Sequence, residues 1–547
     1  MRWAWIAVAL CLACSSSGTD QDVTSEARSE NEDTGISDSL SSRELAVETV
    51  ADASTQMDQA SDAATLLDLL PEAMAPDQGS DQSSTPDTLQ SPDVGPGPEP
   101  WFAPLNTDEW LKLLQGDDGQ AFGDLIARYD GPVCDGETCV LITFVEGAQE
   151  VFIRGEFNDW APTDSLIPVA HSPGYWFWVL EDYAFDRHAQ YKLFANEEWF
   201  RDPMNRWVRF ADMAVNSAFY KTYGSRLAMV EDLYSPQLDN ERNLFVYVPA
   251  EAFQQPEKRF PVLYMQDGFN VFANPMAPFG SWDVDVGADQ LFEGGDARAA
   301  IIVGINTNDR FNEYIYAAIT VNIGVPIEVT PKLDEYAEFV AEMVVPNIEE
   351  DFPALPESEN RGIAGSSLGG ISALYIAWHH PDVFGLVGSM SGSYWLGEAG
   401  SGTAEADSMR AIVDANPPGP AHMAMRIYMD SGDSGDNLFA YSNDNRDVTD
   451  WMRNKLIAVG FDNRPEWDDD GDLSTPPVDF DSVTAPEDVP TLFWSQDVPA
   501  EFGSWSEYLQ TDRSLLHVVG AGHAHNESAW EARTPLMLRY LFPPLAQ

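Results

Sequence analysis

The stretch Arg361-Gly-Ile-Ala-Gly-Ser-Ser-Leu-Gly-Gly370 decides how this chain is read. Four residues of strand character run into Gly365-Ser366-Ser367-Leu368-Gly369, a G-x-S-x-G pattern, and an apolar helical run follows to His379. A serine used as a nucleophile must stand on a sharp strand-to-helix turn, where neighbouring side chains would collide, so glycines frame it. The helix behind such a turn offers free N–H groups to a developing oxyanion. Alone, five residues are equally compatible with a Gly/Ser loop. The flanking chain has to decide.

The flanks alternate strands with helices. Phe260–Gly268 and Ala299–Asn306 are near-continuous apolar runs, as expected of parallel strands buried on both faces. Asp334–Ile348 carries a helical stripe of Tyr336, Phe339, Val340, Met343 and Val344. Strands are expected at Phe384–Met390, Met425–Met429 and Leu515–Val519, and helices at Asn445–Val459 and Trp530–Phe542. This alternation predicts an α/β fold with helices on both faces of a parallel sheet. A nucleophilic serine in that setting needs an acid and then a histidine, in that chain order. The loop Gly520-Ala-Gly-His523-Ala-His525-Asn-Glu-Ser-Ala-Trp530 supplies two histidines between the last strand and the last helix. The loop after Met429 supplies acids at Asp430, Asp433 and Asp436.

With these segments in view, residues from about Ser235 to Leu545 resemble the esterase D branch of the α/β-hydrolases. That branch includes enterochelin esterases, bacterial feruloyl and acetyl xylan esterases, and mycobacterial mycolyltransferases. The matching segments are Val262–Phe269, Arg310-Phe-Asn-Glu-Tyr314, Gly365–Gly370, His380-Pro-Asp-Val-Phe384, Ser389-Met-Ser-Gly-Ser393 and the histidine loop. The resemblance implies Ser367 as nucleophile and the backbone N–H groups of Leu368 and Phe269 as the oxyanion hole. It implies His525, five residues before Trp530, as the base, with His523 as the alternative. It implies Asp436 as the acid, with Asp433 next. It implies an acyl-enzyme resolved by water, with no metal or organic cofactor.

Upstream, Val151-Phe-Ile-Arg-Gly-Glu-Phe-Asn-Asp-Trp160 and Tyr191-Lys-Leu-Phe-Ala-Asn-Glu-Glu-Trp-Phe-Arg-Asp-Pro203 lie among short alternating strands. They resemble the glycogen-binding and isoamylase N-terminal family of immunoglobulin-like (E-set) β-sandwiches. In sugar-binding members, residues at the positions of Trp160, Lys192 and Trp199 hold a glucan. In others the sandwich is only a packing platform, and both roles stay open for this chain. Two short helices are expected between Asp108 and Tyr129.

At 547 residues the chain exceeds one ordinary domain. The expected division is 1–14, 15–100, 101–225 and 226–547. Residues 1–14 resemble a bacterial lipoprotein signal: one positive charge, a short apolar run too short to span a bilayer, and Cys11-Leu-Ala-Cys14 with Cys14 as the lipidated residue. Export and a lipid anchor in the cell envelope, at the outer membrane, are the expectation. Residues 15–100 are rich in Ser, Asp, Thr, Ala and Pro and form an expected disordered acidic linker. Cys134 and Cys139, either side of Asp-Gly-Glu-Thr in an exported chain, read as a small disulfide. With 90 acidic and 29 basic residues the net charge is −61, which argues against nucleic acid or an anionic lipid surface as partner. The acidic run Asp468-Asp-Asp-Gly-Asp472 lacks EF-hand spacing and reads as a solvated loop rather than a metal site. The sequence leaves the oligomeric state unassigned. The expected activity is serine-dependent hydrolysis of carboxylic esters, on carbohydrate-linked feruloyl or acetyl groups. A siderophore esterase and a non-catalytic glycan-binding lipoprotein are the alternatives.

Overall fold

A computed structural model of the chain describes residues 106–544, apart from 136–137, 162, 182–187, 212–213, 221–223, 323–325, 398–401, 403, 436–442, 462–476 and 479–513. Residues 1–105, the expected acid Asp436 and the run Asp468–Asp472 lie outside the described residues.

Two short helices open the described chain, Thr107–Gln115 and Gly119–Ile126. Asn106 caps the first in a capping box with Glu109, which satisfies backbone donors that a helix start leaves unpaired. Ten strands follow: β1 (Val133–Asp135), β2 (Thr138–Phe144), β3 (Phe152–Gly155), β4 (Asp164–Ser165), β5 (Ile167–Pro168), β6 (Tyr175–Leu180), β7 (His188–Ala195), β8 (Glu198–Phe200), β9 (Val208–Ala211) and β10 (Ala214–Tyr220). They form two sheets, ordered β1-β2-β6-β5 and β4-β3-β7-β10-β9, with β8 on β7. Leu141 and Trp176 from one sheet pack in one core with Ile153, Tyr191, Leu193 and Phe219 from the other, so the arrangement is a sandwich. Along β7, buried Ala189, Tyr191, Leu193 and Ala195 alternate with half-exposed His188, Gln190, Lys192 and Phe194. Val140, Ile142 and Phe177, on the outer face of the first sheet, bury Trp110, Leu114 and Phe122 of the two helices. Cys134 and Cys139 are disulfide-bonded across the β1–β2 hairpin.

The second body is a nine-stranded sheet. Its strands are β11 (Arg226–Ser235), β12 (Asn240–Val248), β13 (Val262–Met265), β14 (Ile301–Ile305), β17 (Arg361–Ser366), β18 (Leu386–Met390), β19 (Arg426–Gly432), β20 (Pro477–Val478) and β21 (Leu515–Gly520); a separate hairpin holds β15 (Thr320–Asn322) and β16 (Pro326–Glu328). The order is β11-β12-β14-β13-β17-β18-β19-β21-β20. β11–β12 and β12–β14 pair antiparallel, and every later pair is parallel. Alternate residues of one strand serve different cores: Val262 and Tyr264 join one cluster, Leu263 and Met265 the other. That is why these strands read as unbroken apolar runs. The predicted helix over Asp334–Ile348 is observed as Leu333–Phe339, a wider π turn at Val340–Val344, and Val345–Asp351. Pro346 has no N–H to complete an α-helical ladder, which accounts for the change of winding there.

The sandwich is sewn to the β11–β12 edge of the sheet. The chain before β9 runs alongside β11, with a Trp207–Ala228 bridge and a Met229 N–H donated to Arg206 O at 2.9 Å. Phe210 of β9 is buried against Phe245 of β12 and, edge-on at 6.0 Å, against Phe269. Arg209 pairs with Asp285, whose other oxygen accepts the Ala273 N–H. Among the described residues no helix is long and apolar enough to cross a membrane.

Candidate active site

Ser367 sits one residue past the end of β17, at φ 57° and ψ −120°, and caps the helix Leu368–His379. Such a backbone costs a non-glycine residue about 1–3 kcal/mol, and the surroundings must hold it. They do so by backbone bonds: Ser367 N–H donates to Met390 O at 2.9 Å, and Ser393 N–H donates to Ser367 O at 2.9 Å. The framing glycines touch. A Cβ on Gly365 would stand 2.8 Å from the Gly369 carbonyl carbon and 2.9 Å from Gln266 Cβ. This close approach requires glycine; any side chain would push strand and helix apart. Ser367 Oγ lies 3.3 Å from Ser393 Oγ.

The turn carrying Phe269 follows β13. Asp267 adopts φ 56°, and its N–H donates to Tyr314 Oη at 2.9 Å. Arg310 grips its carboxylate with two bonds, Nε to Oδ1 at 2.8 Å and Nη2 to Oδ2 at 2.9 Å, and Nη2 approaches Ser366 O at 3.5 Å. A bidentate clamp of this kind fixes orientation as well as distance. It ties the Phe269 turn to the nucleophile strand, and so explains why Asp267, Gly268 and Arg310 stand where they do. Gln266 completes the tie: its N–H donates to Ala364 O at 2.8 Å, and its Oε1 accepts from Tyr336 at 2.5 Å. Leu368 follows Ser367 directly, and Leu368 and Phe269 stand on the first turns of their own long and short helices.

His525 comes from the loop between β21 and the helix Glu527–Leu541. Its Nδ1 is 2.7 Å from Asp444 Oδ1, with the Asp444 side chain fully buried. Its ring meets Trp530 edge-on at 5.0 Å. The spacing between His525 and Trp530 thereby has a physical basis, since one turn of helix sets the indole against the imidazole. His523 is placed differently. It is buried, and its Nδ1 faces Arg533 Nη1 at 3.2 Å.

The carboxylate beside His525 is one that the sequence reading did not single out. Sequence reasoning put the acid at Asp436 or Asp433, soon after β19. Asp436 lies outside the described residues. Asp433 Oδ1 accepts the Gly522 N–H at 2.6 Å and so braces the histidine loop. The carboxylate that holds His525 is Asp444, just before the helix Arg446–Ala458. Asp444 and Asn445 have φ of 44° and 60°. Short polar side chains tolerate that backbone, which folds the Asp444 carboxylate back over the end of β19. There Oδ2 accepts the Gly432 N–H at 2.5 Å and the Ser391 hydroxyl at 2.7 Å.

Two further residues went unassigned by sequence reasoning. Ser391 Oγ also accepts from Trp530 Nε1 and from Arg533 Nη2, each at 2.9 Å, while Asn445 Nδ2 donates to Ser391 O at 2.9 Å. Arg533, fully buried, lies 3.2 Å from Asp430 and 3.5 Å from Asp444. Ser391 had a signal, since Ser389–Ser393 was among the distinctive segments; Arg533 had none. Burial pushes the Asp444 carboxyl up, but the hydrogen bond from His525, the Arg533 and His525 charges and the Ser391 hydroxyl outweigh it and hold it below the usual carboxylate range. Asp430, equally buried, is pushed up by desolvation in spite of Arg533. The carboxylate facing the histidine is therefore the one kept ionised. A serine on a strained turn at a helix start, with an imidazole oriented by an ionised carboxylate in the same sheet end, is a group set suited to acyl transfer.

The sandwich residues singled out above are not core. Trp160 and Trp199 are 39% and 43% exposed, and Lys192 is half-exposed on β7. The Arg154 guanidinium covers one face of Trp199 at 4.3 Å, and Phe194 lies 5.1 Å from that ring. Among the described residues no cluster of His, Cys, Asp and Glu could hold a metal ion.

Comparison with known proteins places residues 235–464 under the family model described as "Putative esterase". YbbA of Bacillus subtilis, whose function is uncharacterized, is 26% identical over 201 residues, covering 35% of this chain and 69% of YbbA. The iron(III) enterobactin esterase of Escherichia coli O6:H1 is 31% identical over 96 residues, 15% of this chain and 24% of that protein. The endo-1,4-beta-xylanase/feruloyl esterase of Xylanibacter ruminicola is 26% identical over 163 residues, 28% of this chain and 20% of that protein. The chain thus spans a quarter or less of these two named enzymes. Among solved structures, an enterobactin esterase from Shigella flexneri aligns with 78% of this chain and 99% of its own at 15% identity and a TM-score of 0.36. A ferulic acid esterase aligns with 58% of this chain and all of its own at 19% identity and a TM-score of 0.37. The strand order and the turn at Ser367 show an α/β body behind a β-sandwich, and residues 235–464 within that body match the putative-esterase model.

Proposed function

We propose that this protein hydrolyses carboxylic esters through a Ser367–His525–Asp444 triad, acting on acyl groups carried by carbohydrate. The observation that carries the reading is the His525–Asp444 hydrogen bond at the end of the sheet that presents Ser367. Asp444 holds Nδ1–H, which leaves Nε2 to take the Ser367 hydroxyl proton as Oγ attacks the ester carbonyl. The N–H groups of Leu368 and Phe269 receive the oxyanion. His525 then protonates the departing alcohol, and water, activated by the same imidazole, releases the acid from the acyl-enzyme.

The choice of feruloyl or acetyl sugar esters is supported by the feruloyl esterase among the relatives and by the exposed Trp160 and Trp199 of the sandwich, whose ring faces suit the apolar faces of sugars. A siderophore trilactone is the second reading, supported by the enterobactin esterase match. A panel of feruloylated arabinoxylan oligosaccharides, acetylated xylan and ferric enterobactin decides between them. Preference for the sugar esters supports the first reading, and preference for the trilactone refutes it. We further propose that Cys14 carries a lipid anchor to the cell envelope. Release of the Cys14→Ala protein from the membrane fraction supports this, and unchanged partition refutes it.

A further inference from the structure

Glu527 opens the last helix two residues past His525, and the triad does not use it. Its carboxyl faces the turn that carries Phe269, where Asn270 Nδ2 donates to Glu527 Oε1 at 3.4 Å. The loop beyond that turn folds back on the same spot. Asn270 O accepts the Trp282 N–H at 2.8 Å, and Trp282 packs on Trp530 of the last helix at 5.6 Å. Gly280, at φ 99°, lies so close that a Cβ there would be 3.6 Å from Glu527 Cβ. Its neighbour Phe279 is left 47% exposed. Glu527 therefore stands between the Asn270 turn and the Gly280 loop, and Phe279, next to Gly280 in the chain, is exposed.

The charged groups facing this carboxyl are Asp267 from the Phe269 turn, Arg310 from the helix Arg310–Tyr314, and His525 from its own loop. Arg310 is clamped on Asp267 by Nε and Nη2, so its charge reaches Glu527 only at a distance. An amide donor beside a carboxyl acceptor, next to an exposed ring, is the donor–acceptor pattern that a hydroxyl-bearing ligand satisfies. A like-charged ligand group would meet Coulomb repulsion there.

We propose that Glu527, held by Asn270, is a specificity-determining residue that receives uncharged, hydroxyl-bearing esters and repels anionic ones. The assignment rests on Ser367 being the nucleophile of an ester hydrolase. Burial, with the Asp267 charge, pushes the Glu527 carboxyl up to about 7 against the pull of its own backbone N–H, Arg310 and His525. Its negative charge is consequently weak at pH 6 and complete at pH 8.5.

The test compares kcat/KM for p-nitrophenyl butyrate, which is neutral, with that for p-nitrophenyl hemisuccinate, which is anionic, at both pH values. Dividing one by the other removes the pH dependence of the shared triad. In the wild-type protein the neutral-to-anionic ratio should rise about tenfold between pH 6 and pH 8.5. In Glu527→Gln that rise should vanish, through faster turnover of the anionic ester. Glu527→Gln should also raise KM for a feruloylated arabinose about fivefold relative to methyl ferulate. A Glu527→Gln protein with the wild-type ratio at both pH values overturns this assignment while leaving the esterase reading intact. A wild-type protein that hydrolyses neither ester overturns both.

Discussion

Replacing Asp444 by asparagine tests its proposed role as the acid of the triad. The carboxylate accepts from His525 Nδ1, the Ser391 hydroxyl and the Gly432 N–H, and lies near Arg533. An amide of the same shape keeps the volume but loses the charge, and it can turn an N–H toward the imidazole. His525 would then present its proton toward Ser367 rather than its lone pair. In serine hydrolases that exchange lowers kcat about 10⁴-fold, or roughly 5 kcal/mol at the transition state. Arg533 retains Asp430 at 3.2 Å, so the buried cation is not stranded and the fold should survive. The assay is kcat/KM on p-nitrophenyl acetate, with far-UV circular dichroism to verify folding. Asp433→Asn and Asp436→Asn are the matched controls. The Asp433 carboxylate accepts a loop N–H from Gly522, so a loss of less than about tenfold is expected there. An Asp444→Asn enzyme within tenfold of wild type, or a collapse confined to Asp436→Asn, would refute the assignment.

Three further outcomes follow from the same geometry. Gly365→Ala should destabilise the protein by about 1–3 kcal/mol in urea titrations, because its Cβ must displace the Gly369 backbone 2.8 Å away; an unchanged midpoint would contradict the steric account of the elbow. Phe210→Ala should cost about 3–5 kcal/mol as a buried aromatic and should also lower kcat, since Phe210 backs Phe269; full activity at normal kcat in a destabilised variant would separate the sandwich from the site. Glu527 has a raised folded-state pKa of about 7, so it is still protonated in the folded chain over a range where the unfolded chain, near 4.3, has released its proton. Stability should therefore fall as pH rises between about 4.5 and 7, and Glu527→Gln should flatten that slope; a steeper slope in the variant would reverse the sign of the argument.

Much of the hydrolase body was legible because buried parallel strands leave unbroken apolar runs, as in Val262–Met265 and Ile301–Ile305. The elbow was legible because close backbone approach demands Gly365 and Gly369. The pairing of His525 with Trp530 was a local feature, one helical turn long. Asp444 was illegible for the opposite reason. Its contact with His525 joins residues 81 apart in sequence, a separation that leaves no local pattern. Nothing in a glycine- and aspartate-rich stretch marks which carboxylate comes home. Arg533 was hidden likewise, because its anchors Ser391 and Asp430 meet it only in space. In the sandwich, β4, β5 and β8 are two or three residues long, too short for alternation to register, and the β9–β10 hairpin lacks an apolar run of its own.

The central claim is that Ser367 is the nucleophile. Intact-mass spectrometry after treatment with a fluorophosphonate measures it directly. The account predicts one adduct on the wild-type protein, mapped to the peptide holding Gly365–Gly369, and none on Ser367→Ala, which should also lose ester hydrolysis while keeping its circular dichroism spectrum. An adduct on a different serine, or a Ser367→Ala protein that still turns over p-nitrophenyl acetate, would contradict it.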